Sequence, residues 1–140
     1  MIPIHGQAVL TAAAMRTAEQ AVITQGVSEA TLMDRAGRAI AQAVARLAAG
    51  REILVLCGPG NNGGDGYIAA ARLREQGQAV RVAALAEPRS EGCRRAAELW
   101  GGAVASLDDV EPAPILVDAL FGIGLSRGLE SVAEQNLARI

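Results

Sequence analysis

Nine residues, Gly58-Pro59-Gly60-Asn61-Asn62-Gly63-Gly64-Asp65-Gly66, concentrate more chemical capacity than any other stretch of the chain. Gly58, Gly60 and Gly63 are spaced G-x-G-x-x-G. That spacing lets backbone approach a pyrophosphate, provided a strand precedes it and a helix with free N–H groups follows. No Lys-Ser/Thr pair follows the glycines, so a P-loop hydrolysis site is excluded. A tight turn closed by an Asn/Asp helix cap is the plainer reading. Glycines and asparagines at 58 and at 60–64 exceed what a turn needs, so ligand binding is expected here. Asp65 alone reads equally well as a cap or as a ligand contact.

The second candidate is Val117-Asp118-Ala119-Leu120-Phe121-Gly122-Ile123-Gly124-Leu125-Ser126-Arg127-Gly128. Asp118 stands in an apolar run, and burying a carboxylate costs several kcal/mol unless a partner or cation satisfies it. It reads either as a functional acid or as a structural one capping the Gly122–Gly128 loop through backbone N–H groups. Arg127 offers a further phosphate contact.

For these stretches to cooperate, both must lie at the carboxyl ends of strands, where open α/β sheets bind ligands. The patterning supplies such strands. Ile53–Cys57 is a continuous apolar run stopped by Gly58-Pro59-Gly60, as expected of a strand buried on both faces. Residues 79–85 and 114–120 read as two more strands, giving three. Helices are expected from about Asp65 to Gln76 and from Ser90 to Trp100, with a last helical pattern over Leu129–Ile140. Upstream, Thr11 and Ser28 are placed to N-cap two helices ending at Gly26 and Gly50. Leu32, Ala36, Ile40, Ala43 and Leu47 form the expected buried stripe of the second. The alternation predicts a Rossmann-like three-layer αβα sandwich with a mostly parallel sheet, preceded by N-terminal helices.

Composition narrows the function. The 140 residues are 51% hydrophobic but 2% aromatic, so the core is built from small side chains in close-packed layers. Thirteen arginines, without a lysine, stand against 15 acids for a net charge of −2, and the basic residues do not cluster. Nucleic acid and anionic membrane surfaces are therefore not expected partners. No apolar run is long enough to span a bilayer, and no secretory signal is visible at the N-terminus. Cytoplasm is the expected compartment. Cys57 and Cys93 make neither a disulfide framework nor a zinc spacing; Cys57 reads as a buried small hydrophobe. His5 is the sole histidine and lies near the chain end, so acid–base work falls to carboxylates.

Gly60 to Tyr67 and Val117 to Leu125, with Leu32-Met33-Asp34-Arg35-Ala36-Gly37 upstream, together resemble the NAD(P)H-hydrate epimerase family. The three stretches span nearly the whole chain in the family's order. The resemblance implies a potassium-assisted site for hydrated NADH or NADPH as substrate. It implies substrate contacts at Asn61, Asn62, Gly63, Gly64 and Asp65, and again at Gly122, Ile123, Gly124, Leu125, Ser126, Arg127 and Gly128. Asn62 and Asp118 would hold potassium, and Asp118 would be the acid–base group. In bacteria such a domain is commonly the front half of a bifunctional repair enzyme with an ADP-dependent dehydratase behind it. The family continues with another strand bearing Asp-x-Pro-Ser-Gly, so residues 1–140 are expected to be one domain, incomplete at its C-terminus and poorly active alone. An open sheet edge after residue 120 would favour association, which leaves homo-oligomers open.

The implied chemistry is epimerisation at C6 of the hydrated nicotinamide ring. C6 is a hemiaminal carbon, so the ring nitrogen can expel the hydroxyl as water and let water return on either face; ring opening is the other route. No redox cofactor is needed, and one positioned carboxylate can move the proton. Two rivals stand beside this. A dinucleotide-dependent oxidoreductase should carry an acid at the end of the second strand, where Ala83-Ala84-Leu85-Ala86 offers none and Glu87 lies just beyond. A non-catalytic nucleotide-binding or protein-interaction domain would have no need of Asn62 and Asp118.

Overall fold

Ile53–Cys57 forms β1, and all five side chains are buried. An apolar run of this kind needs cover on both faces, and the rest of the fold is organised around providing it. The computed structural model of the chain describes residues 6, 9–123 and 138; His5 falls outside them. The elements before β1 are α1 (Ala12–Thr24) and α2 (Glu29–Ala48). After it come α3 (Asn61–Glu75), β2 (Val80–Ala84), α4 (Glu91–Trp100), β3 (Val104–Ser106) and β4 (Ile115–Ala119). The strands form one sheet in the order β3-β2-β1-β4, and every pairing is parallel. The chain winds outward from β1 through β2 to β3, then returns to lay β4 on the other side of β1.

Three helices start where a side-chain oxygen can accept from an otherwise unpaired N–H. The Thr11, Ser28 and Ser90 hydroxyls accept from the amides of Ala14, Thr31 and Cys93 at 3.2, 3.1 and 3.2 Å. Thr11 and Ser28 are the caps expected from sequence. Trp100 ends α4 because Gly101 turns left-handed at φ 57°, a conformation that costs glycine little.

The sheet's two faces are covered differently. Ile53, Val55, Cys57 and Val82 pack with Met33, Ala41 and Val44 of α2, Tyr67, Ile68 and Leu73 of α3, and Cys93, Ala96 and Trp100 of α4. The opposite face gathers Leu54, Leu56, Ala83, Leu107, Val110 and Leu120. Among the described residues this second face is covered by the segment around Leu107–Ala113 rather than by a helix. The helix expected over Leu129–Ile140 lies almost wholly outside the described residues.

Three expectations need correction. The sheet has a fourth strand, β3, which pairs only with β2. Its three residues are all exposed, so it leaves no apolar signature. The buried face of α2 is Met33, Gly37, Ala41, Val44 and Ala48, one position round from the predicted stripe, and Leu47 is 69% exposed. Close approach to α3 selects the smaller residues: a Cβ on Gly37 would lie 2.4 Å from Ile68 Cγ2 and 3.1 Å from the Asp65 carbonyl oxygen. Finally, α3 begins at Asn61 rather than near Asp65, so most of the glycine-rich stretch is helix and not loop. Glycine disfavours helix by about 1 kcal/mol per residue, but here packing overrides propensity.

Candidate functional site

The helical glycines of α3 let it lie against its neighbours. A Cβ on Gly63 would stand 1.8 Å from the Gly58 carbonyl oxygen, and one on Gly66 would stand 2.6 Å from Ala119 Cβ and 3.0 Å from Cys57 Sγ. On Gly64 it would meet Met33 Sδ at 2.7 Å, and on Gly92 of α4 it would meet Met33 Cε at 2.8 Å. Met33 thus wedges between α3 and α4. One residue on, Asp34 accepts from Arg72 of α3 at 2.8 Å and from Arg38 at 2.6 Å. The Leu32–Gly37 stretch therefore clasps α3 and sets its height above the sheet.

That placement puts the start of α3 directly beyond β1. The register pairs Leu56 with Asp118 and Cys57 with Ala119, and the Gly58 amide donates to the Ala119 carbonyl at 3.1 Å. The strand order reverses between β1 and β4, so Gly58–Gly66 and the described part of the second stretch, Val117–Ile123, sit at the carboxyl side of the switch point, where α/β sheets bind ligands. The Pro59 carbonyl accepts from the Arg89 and Ser90 amides at 2.8 and 3.3 Å, anchoring the turn. Gly60 is the N-cap of α3, and unlike α1, α2 and α4 this helix has no side-chain cap. The Gly64 amide is the first to close on Gly60. Earlier amides, those of Asn61, Asn62 and Gly63, point out of the helix with its dipole behind them, a natural anion cradle.

Asn62 leans on the loop after β4: a Cβ on Gly122 would lie 3.3 Å from Asn62 Oδ1. A side chain at 122 would crowd the amide. Asn61 is exposed and its Oδ1 approaches Gly92. Asp118, expected in an apolar environment, is exposed. Being on edge strand β4, it alternates with Ile115 and Val117, which turn to the helix-covered face, and shares the open face with Leu116, 44% exposed. Its Oδ1 accepts from the Leu120 amide at 3.0 Å, fixing the carboxylate by a local turn and leaving Oδ2 without a described partner. Asp65 is not a cap. It lies in the second turn of α3, half-buried, and burial together with the nearby Glu19 charge pushes its carboxyl up to about 6. Sequence reasoning missed the Glu19 influence, which comes from a helix distant in sequence. Gly122 and Ile123 are described and exposed. Gly124, Leu125, Ser126, Arg127 and Gly128 lie outside the described residues.

Cys57 and Cys93 are buried free thiols, and burial pushes both upward, Cys57 well above the ordinary thiol range. Inert thiols of this kind pack rather than react. Among the described residues no three His, Cys, Asp or Glu side chains group as a metal site. Asn62 and Asp118 instead offer oxygen donors with one formal charge, a set suited to a hard, loosely held cation rather than a transition metal. No helix of the described residues is long and apolar enough to cross a membrane.

A parallel sheet with an uncapped helix N-terminus and an acid at its switch point defines an open α/β domain of the Rossmann-like class. The family described as YjeF-related protein N-terminus matches residues 29–140, and the chain belongs to that family. Among curated relatives, it is 39% identical over 137 residues to the NAD(P)H-hydrate epimerase of Rhodobacter capsulatus, covering 86% of this chain and 65% of that protein. It is 50% identical over 105 residues to the NAD(P)H-hydrate epimerase of Bordetella pertussis, covering 71% and 46%. A match to the bifunctional NAD(P)H-hydrate repair enzyme Nnr of Pyrobaculum aerophilum is 39% identical over 131 residues and covers 83% and 26%. The chain thus spans less than two thirds of the length of each of these relatives. The crystal structure of yeast ynu0 superposes with a TM-score of 0.81 at 24% identity, covering 94% of this chain and 64% of that one. That likeness establishes the shared α/β fold.

Proposed function

We propose that the chain forms the epimerase site of an NAD(P)H-hydrate repair enzyme, interconverting the R and S forms of hydrated NADH and NADPH at C6. One observation carries the reading. The cradle of free amides at Asn61–Gly63 and the carboxylate of Asp118 lie on adjacent strand ends at the switch point, in a chain 39–50% identical to named epimerases. The amides suit the phosphate of a nucleotide, and Asn61 and Asn62 add neutral donors and acceptors. Asp65, held partly protonated near pH 6, places less negative charge beside that anion than an ordinary carboxylate would.

Asp118 moves the proton. As the acid it protonates the departing C6 hydroxyl, the C–O bond breaks, and water leaves while the ring nitrogen takes up the positive charge. Water then adds to the opposite face of C6, and the Asp118 carboxylate takes the proton back. Protons and charge balance over the cycle, and no electrons are exchanged. General acid–base help of this kind is worth roughly 100–10,000-fold. Gly122 and Ile123, with residues 124–128, would line the other side of the substrate. Asn62 and Asp118 would hold a potassium ion, which supplies electrostatic anchoring for substrate oxygens when bound. Fusion to an ADP-dependent dehydratase in a longer parent protein accords with the bifunctional relative. The buried thiols are compatible with a cytoplasmic location.

The test is direct. The separated S epimer is incubated with the full-length protein that carries this domain and the approach to the epimeric mixture is followed by chromatography. Acceleration over the uncatalysed rate that disappears in Asp118→Asn supports the reading; equal rates in wild type and variant refute it.

A further inference from the structure

A second cavity of about 720 Å³ opens at the same end of the sheet, beyond the carboxyl ends of β2 and β3 and under α4. Its size falls within the roughly 300–1,000 Å³ of small-ligand sites. Ala84, Ala86, Ala97 and Ala105 line it, and their small side chains leave a broad slot, with Arg94 and Glu98 of α4 adding charge to its wall. Glu87 lines it as well, three residues past the end of β2. Tyr67, 2% exposed, closes its inner end.

The cavity is tied to the β1–β4 site by backbone. The Leu85 amide donates to the Cys57 carbonyl at 3.0 Å, and the Arg89 amide donates to that of Pro59 at 2.8 Å. The segment from Leu85 to Arg89 is therefore one wall of the cavity and a brace of the cradle at once. The order β4, β1, β2, β3 places the two openings beyond neighbouring strands at the same end of the sheet. In doubly wound folds a dinucleotide lies across the crevice at this end, with an acid beyond the second strand accepting from a ribose hydroxyl.

We propose that this cavity receives the adenosine half of the dinucleotide, with Glu87 accepting from the ribose 3′-hydroxyl, which is free in both NADH and NADPH hydrates, and the base in the alanine-lined slot. The proposal rests on the epimerase reading for the identity of the dinucleotide, and it adds the residues that hold the non-reacting half. Burial, with Cys57, Cys93 and Glu87 nearby, pushes the Tyr67 phenol up, so it stays a neutral hydroxyl able to donate at the slot's inner end. Binding energy from this remote half would serve to orient the reacting ring.

The experiment uses AMP and nicotinamide mononucleotide as separate probes of the two halves, titrated into the isotope-labelled chain and followed by backbone amide shifts. AMP is expected to move the amides of Ala84, Leu85, Ala105 and Ser106, and nicotinamide mononucleotide those of Gly60, Asn61 and Asn62. Glu87→Gln should weaken AMP about tenfold or more, the scale of a lost charged hydrogen bond. Ala105→Phe, a change on an exposed edge strand, should fill the slot and weaken AMP similarly. Both variants should keep wild-type affinity for nicotinamide mononucleotide. If that probe binds at the cradle while AMP leaves the cavity amides unmoved, or if both variants bind AMP like wild type, the cavity assignment falls alone. If neither probe binds, the dinucleotide reading of the β1–β4 site falls with it.

Discussion

Two glycines three residues apart, Gly60 and Gly63, should respond oppositely to the same added methyl group. At Gly63 the new Cβ would lie 1.8 Å from the Gly58 carbonyl oxygen, 2.7 Å from its carbon and 2.8 Å from its nitrogen. All three are backbone atoms, which cannot rotate away, so α3 or the β1 turn must move by more than an ångström. Overpacking costs typically about 1–3 kcal/mol, more when relief is blocked, against about 1 kcal/mol regained from replacing glycine in a helix. A net loss of about 2 kcal/mol follows, lowering Tm by roughly 6–10 °C in a domain of this size. At Gly60 the Cβ meets nothing within 4 Å, and φ is −99°, so Gly60→Ala should change stability by less than about 1 kcal/mol. Its methyl would stand in the open space ahead of the helix and hinder a phosphate. Thermal unfolding, paired with calorimetric titration of nicotinamide mononucleotide, separates the two. Gly63→Ala should melt early, and Gly60→Ala should melt normally but bind about tenfold more weakly. A Gly63→Ala variant as stable as wild type would refute the packing account of these glycines.

Asp118→Asn keeps the acceptor for the Leu120 amide, so it should leave Tm within a few degrees while cutting epimerisation at least 100-fold, read by chromatography beside a melt. Asp65 has a folded pKa of about 6 against an ordinary 3.8, so the folded state holds the extra proton and Asp65 erodes stability as pH rises from about 4 to 6. Asp65→Asn should therefore gain roughly 1–2 kcal/mol more at pH 7 than at pH 4 in denaturant titrations; an equal gain at both would refute the raised carboxyl. Replacing potassium by a bulky organic cation should slow turnover in wild type but not in Asn62→Ala, whose rate is already low; wild-type rates equal in both salts would remove potassium from the site.

Local rules made the helix starts at Thr11, Ser28 and Ser90 legible in the sequence, because a cap depends on a few neighbouring residues. β1 and β4 were legible because they are mostly apolar runs that end in glycine-bearing loops. What local patterning missed was set by distant neighbours. The face of α2 turned by one position because Gly37 lets it close on Ile68 of α3. Exposed Val104–Ser106 becomes a strand only because β2 offers it an edge. The site shows the same division. The types of Asn62 and Asp118 were readable, but their placement depends on β4 crossing to pair with β1. The exposure of Asp118 depends on β4 lying at the edge of the described sheet.

The crossing also explains why the glycines and the acid occur together. An anion cradle needs a helix N-terminus free of its own cap, and it needs that terminus to sit at strand height rather than above it. Gly63 and Gly66 let α3 settle onto Gly58, Cys57 and Ala119, so lowering the helix and packing it against β4 are one event. Any larger residue at 66 would lift α3 away from Ala119, the neighbour of Asp118. Cradle and carboxylate would then separate together. The glycine stretch therefore acts mainly by fixing the distance between an anion site and a proton-transfer group, and only Gly60 keeps space open at the helix mouth.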